Sequence, residues 1–140
     1  MKIDAGNINR LGLAFERLFL KMVEVDNFFI ELTKDITKAD LSLIGDVGRE
    51  NEVIMRQVAE FCEGPLSTAT WTVDKLVEKG YLKRVNSLED RRIVKVSLTK
   101  KGAGVFDLFR QKKFEMGERM LTNLSTEKQE FFIQTLEQIA

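Results

Sequence analysis

GPLSTATWTVDKLVEKG, running from Gly64 to Gly80, reads as one short helix entered through a tight turn and closed by glycine. Proline is tolerated at the first helical position, where an N–H would be unsatisfied anyway, and Gly80 suits the left-handed conformation that ends a helix. At helical spacing Ala69, Val73, Leu76 and Val77 face inward. That leaves Leu66, Ser67, Thr68, Thr70, Trp71 and Lys75 for the outer surface or its margins. Just upstream, Ile54, Val58, Phe61 and Cys62 share a face on a helix opening near Asn51, and before it Thr37 caps a helix running to about Val47, ended by Gly48. Helix, glycine-containing turn, helix is the helix-turn-helix layout.

Downstream of Gly80 the period changes. Tyr81, Leu82 and Val85 lead through a polar segment, Asn86 to Asp90, into Ile93, Val94, Val96 and Leu98, which predicts a β-hairpin. Long helices flank this unit. From Ile8 to Leu32 the apolar residues Ile8, Leu11, Phe15, Leu18, Met22, Val25, Phe29 and Leu32 alternate at spacings of three and four, a heptad seam that Phe19, Val23 and Phe28 widen. A helix apolar on more than one side is covered by its own domain and by a second subunit, or is buried wholly within one subunit. Thr99 opens a helix to about Asn123. Ser125 or Thr126 caps the last one, with Thr126 and Gln129 at capping-box spacing and Phe132, Ile133, Leu136 and Ile139 as its buried side. The expected fold is mainly α with a small β-hairpin wing: a dimerisation helix over 1–35, a winged helix-turn-helix over 36–100 and C-terminal dimerisation helices over 101–140.

Composition removes most other classes. Without histidine there is no imidazole base for a catalytic triad and no common nitrogen ligand for a metal, and Cys62 alone makes neither a disulfide nor a thiolate cluster. No phosphate-cradling loop appears, so no enzyme and no metal is expected. Apolar runs are too short to span a bilayer and the start lacks signal-peptide character, so no membrane partner and a cytoplasmic location are expected. The net charge is zero, yet residues 75–101 carry nine basic side chains against three acidic ones, leaving the rest of the chain at −6. Such a block is either a solvated face or a footprint for phosphate. The short hydroxyls of Ser67, Thr68 and Thr70 fit a nucleic-acid groove at a helix N-terminus, or else stabilise the first turn.

Val58-Ala59-Glu60, Ser67 to Thr70, Val73 to Arg84, Asp90-Arg91-Arg92 and Leu98-Thr99-Lys100-Lys101-Gly102 together resemble the MarR family of winged helix-turn-helix regulators, over about Thr37 to Gly102. The resemblance implies a transcription regulator that binds double-stranded DNA as a homodimer on a pseudo-palindromic operator and represses by occluding a promoter. It implies that Arg92 enters the minor groove with Asp90 orienting it, the alternative being that the pair only braces the hairpin. Arg91 is then a phosphate contact, and Lys83, Arg84 and Lys95 are backbone contacts or solvated charges. Trp71 departs from the basic or smaller polar residue common near this place; it stacks on a sugar, meets a thymine methyl or folds back on its helix. Beyond DNA, the family leads us to expect a small apolar or aromatic effector, with Phe15, Phe19 or Trp71 lining its pocket. A cysteine on an apolar face is normally inert, which argues against redox sensing at Cys62. The rival class is a winged helix that binds protein through its aromatic-rich terminal helices and reads no operator.

Overall fold

A computed structural model describes residues 3–140 of the chain. The elements run α1 (Ala5–Thr33), α2 (Lys38–Glu50), β1 (Glu52–Ile54), α3 (Met55–Phe61), α4 (Leu66–Glu78), β2 (Leu82–Asn86), β3 (Val94–Leu98), α5 (Lys100–Leu121) and α6 (Thr126–Ile139). They form two compact units, Met1–Asp107 and Leu108–Ala140, with α5 running through the division and α1 sharing the first unit with the helix-turn-helix.

The first unit closes around Phe29, Leu41, Ile44, Val47, Val53, Val58, Ala69, Val73, Leu76, Leu82 and Val96, all fully buried. Thr37 caps α2 as expected: its Oγ1 accepts from Asp40 N, while an Asp40 carboxylate oxygen accepts from Thr37 N at 2.9 Å. This reciprocal pair satisfies two of the donors that a helix start leaves open. Gly80 ends α4 with a positive φ of 79°.

The Leu-Thr-x-x-Gly run has a structural reason. Thr99 Oγ1 donates to Gly80 O at 2.5 Å and accepts from Gly102 N at 3.1 Å, pinning the start of α5 to the end of α4. At Gly102 a Cβ would run into the Tyr81 carbonyl oxygen, so only glycine lets the helix approach. Tyr81 Oη in turn donates to Asp35 Oδ1 at 2.7 Å; burial and this bond push the Tyr81 hydroxyl up to about 12.

Several boundaries differ from the sequence expectations. The wing is the outer part of a three-stranded antiparallel sheet of order β1-β3-β2, because Glu52–Ile54, expected near the start of a helix, pairs with β3 with Val53 opposite Val96. Helix α2 continues past Gly48 to Glu50; that glycine makes room for the Phe106 ring, which a Cβ would meet at 2.5 Å. In the turn before α4 the left-handed residue is Glu63 (φ 49°), and Pro65 takes the cap position instead of the first helical one. On α3, only Val58 of the expected face is buried. The cap of α6 is Ser125, accepting from Lys128 N, while Gln129 Nε2 donates to the Leu121 and Leu124 carbonyls. No residue of α6 is buried within the chain, Ile133, Leu136 and Ile139 included.

Candidate nucleic-acid interface

Helix α4 divides cleanly. Ala69, Val73 and Leu76 have no exposed surface, while Leu66, Ser67, Thr68, Thr70 and Trp71 are exposed. Two hydroxyls are turned back on the helix: Thr70 Oγ1 donates to Leu66 O at 2.8 Å and Thr72 Oγ1 to Thr68 O at 3.0 Å. The Thr70 oxygen therefore presents lone pairs outward and keeps its proton at home.

Lys75 lies elsewhere than on an open margin. Its Nζ sits 2.6 Å and 2.8 Å from the two carboxylate oxygens of Asp40, which is 1% exposed, and 4.9 Å from the centre of the Trp71 ring. One ammonium thus ties α4 to the start of α2 and carries an aromatic ring on its outer side. Arg84 is likewise engaged, its guanidinium 2.5 Å from Asp74 Oδ1, which joins β2 to α4. Lys95 pairs with Glu52 at 3.1 Å, and Lys79 donates to the Asp35 carbonyl. Much of the basic block read from sequence is therefore spent on holding the unit together.

The wing tip keeps its cations outward. Ser87 N donates to Ile93 O and Ile93 N to Asp90 O, closing the turn, and Asp90 Oδ1 accepts from Arg92 N at 2.9 Å. The same carboxylate lies 3.6 Å from Arg92 Nε, so Asp90 both braces the turn and faces the guanidinium. With 94% of its side chain exposed, Arg92 is held only loosely by that pair, since exposed ion pairs contribute little in water. Arg91 is exposed beside it, as is Leu88 at the tip.

Burial, with Asp46 and Asp40 nearby, pushes the half-buried Cys62 thiol up, the opposite of what a reactive thiolate needs. Among the described residues no cluster of metal-binding side chains occurs, and no helix is long and apolar enough to cross a membrane.

Residues 36–102 match the family model described as a winged helix DNA-binding domain. Over 84 residues the chain is 30% identical to the uncharacterized HTH-type transcriptional regulator YpoP of Bacillus subtilis, a match spanning 60% of each protein. Among solved structures it is similar to Streptococcus pneumoniae FabT in complex with DNA, at a TM-score of 0.79 and 29% identity, covering 97% of this chain and 94% of that one. It shares its fold with wild-type MarR from E. coli, at a TM-score of 0.64 and 20% identity over 99% and 98% of the two chains. Residues 36–102 thus match a winged helix DNA-binding domain, and along nearly its whole length the chain shares its fold with FabT and MarR.

Proposed function

We propose that the chain reads duplex DNA as a homodimer, with one α4 per protomer in successive major grooves and the two wings over the flanking minor grooves. The observation that carries this is the division of α4, whose first two turns expose Leu66, Ser67, Thr68, Thr70 and Trp71 over a fully buried apolar side. Recognition helices contact base edges through such N-terminal turns. The DNA-bound state of FabT supports the same use of this fold. Arg92 supplies the minor-groove guanidinium, where narrow A·T segments concentrate negative potential, and Arg91 meets phosphate. Lys75 supports the reading surface from beneath through Asp40, and Arg84 braces α4 from the strand beside it through Asp74.

The dimer covers the apolar residues that one chain leaves in solvent: Ile8, Leu11, Phe15 and Phe19 of α1, and Phe114, Phe131 and Ile139 of α5 and α6. The operator is then a pseudo-palindrome, because a two-fold axis in the protein demands one in the site. Repression by promoter occlusion in the cytoplasm belongs to the same reading. A small apolar or aromatic effector releases the operator by favouring a different spacing of the two wings.

Selection from a pool of random duplexes tests it. The expected outcome is an enriched palindrome with half-sites about ten base pairs apart, and a log-log salt slope reporting several neutralised phosphates. If no sequence is enriched and binding is weak at low salt, operator reading fails and the protein-binding class takes its place. Replacing Arg91 and Arg92 together by Ala should weaken operator binding about 10- to 100-fold and flatten the salt slope by one to two, in a fluorescence anisotropy titration. An unchanged slope would remove the wing from the interface.

A further inference from the structure

We infer that Trp71 is the residue of α4 that fixes sequence preference, its indole packing against the C5-methyl of a thymine in the major groove. This rests on the DNA-reading function proposed above and specifies what that surface reads.

Trp71 is 63% exposed in the middle of the reading helix, an expensive place to leave a large apolar ring in water. Nor does it hang free, because Lys75 Nζ lies against the ring and is itself anchored to Asp40 in the core. That stack holds the indole in place before any ligand arrives, and an aromatic group held in place loses little conformational freedom on binding. Around it the outward donors are confined to Ser67 and Thr68, one turn earlier on the helix. The Thr70 and Thr72 protons are committed to backbone carbonyls, and Leu66 adds more exposed apolar surface. The part of the surface formed by the ring and its flanking threonines is apolar and poor in donors, and such a patch discriminates base pairs by the one apolar group displayed in the major groove, the thymine methyl.

The test uses the operator recovered by selection, with each thymine in turn replaced by deoxyuridine at both symmetric positions. This removes the methyl and leaves base pairing intact. At one position the wild-type protein should bind about fourfold more weakly for each methyl lost, the scale of one buried carbon group. Trp71→Ala should bind the thymine and deoxyuridine duplexes alike. Being an exposed position, it should leave the melting temperature within a degree or two, which circular dichroism verifies. Since Trp71 is the chain's one tryptophan, its emission should shift to shorter wavelength as the operator covers it. Wild-type protein that ignores every methyl while still preferring its operator overturns the inference and leaves DNA reading intact. The same holds if Trp71→Ala keeps the methyl penalty, or if the emission does not move. Failure to recover any operator sinks the functional proposal and this inference together.

Discussion

Lys75→Met is expected to destabilise the fold by about 3 kcal/mol, lowering the denaturant midpoint at pH 7 without changing the slope. Asp40 is buried almost completely, and among the described residues Lys75 is the cation that touches its carboxylate. Methionine fills the space of the lysine stem but strands the charge, and breaking one side of a buried pair costs far more than the pair is worth net. We take the lower end of the usual range because the lysine side chain retains 21% exposure. A double-mutant cycle separates charge from packing: adding Asp40→Asn to Lys75→Met should recover part of the loss, since the neutral amide no longer needs a cation. If the double variant is less stable than Lys75→Met alone, the stranded-charge account fails. The pH dependence has a definite sign. Burial alone would push the Asp40 carboxyl up, but hydrogen bonds from Lys75 and Thr37 more than offset it and hold the group below the ordinary carboxylate value. A depressed folded-state pKa contributes stability that is complete above the unfolded value near 3.9 and is lost as pH falls through the folded one. In Lys75→Met the lysine's part of that offset is lost while the Thr37 hydrogen bonds remain, so the carboxyl takes up its proton more readily than in wild type and protonation relieves the variant. The stability gap between wild type and variant should therefore be widest near neutrality and narrow on acidification below about pH 4, as measured by denaturant unfolding across pH.

That pair also marks where sequence reading stopped. The inward face of α4 was legible because Ala69, Val73 and Leu76 repeat at helical spacing, and the caps at Thr37 and Gly80 were legible because capping is a local matter. What escaped was non-local. Lys75 reads as a surface cation until Asp40, thirty-five residues away, is brought beneath it. Similarly, the three residues of β1 are too short to show an alternating pattern and become a strand only through β3. Gly48 resembles a helix stop, yet serves the ring of Phe106 from another helix. The basic block shows the same limit: its sum was correct, but Lys75 answers to the buried Asp40, and Arg84 and Lys95 pair with the surface carboxylates of Asp74 and Glu52, while Lys83, Arg91 and Arg92 of the wing point outward. The apolar side of α6 has the right period, and nothing in period alone says whether its cover comes from the same chain.

The seam of α1 bears on that last question. On the proposed homodimer, Leu11→Glu with Phe15→Glu should convert the protein to a monomer and weaken operator binding more than 100-fold, with little change in the stability of the winged helix unit. Within one chain Phe29 anchors the C-terminal part of α1 in the core, whereas Leu11 is 58% and Phe15 49% exposed, so the two glutamates disturb almost no intrachain packing. In a two-fold interface each substitution appears twice, placing four carboxylates where apolar side chains would meet, and burying them unpaired is prohibitive. A monomer keeps α4 and the wing intact, but binding at the second half-site is no longer intramolecular. The avidity of 10²- to 10⁴-fold that linkage typically provides disappears. Light scattering after size exclusion gives the mass, and anisotropy titrations give the affinities for the full palindrome and for an isolated half-site. The variant should bind both duplexes with the same weak affinity, and wild type should distinguish them. A variant that stays dimeric and binds the palindrome undiminished would move the dimer contact off α1. A monomer that still binds it tightly would show that a single α4 and wing suffice, and the demand for a palindromic operator would fall with the two-fold axis that imposed it.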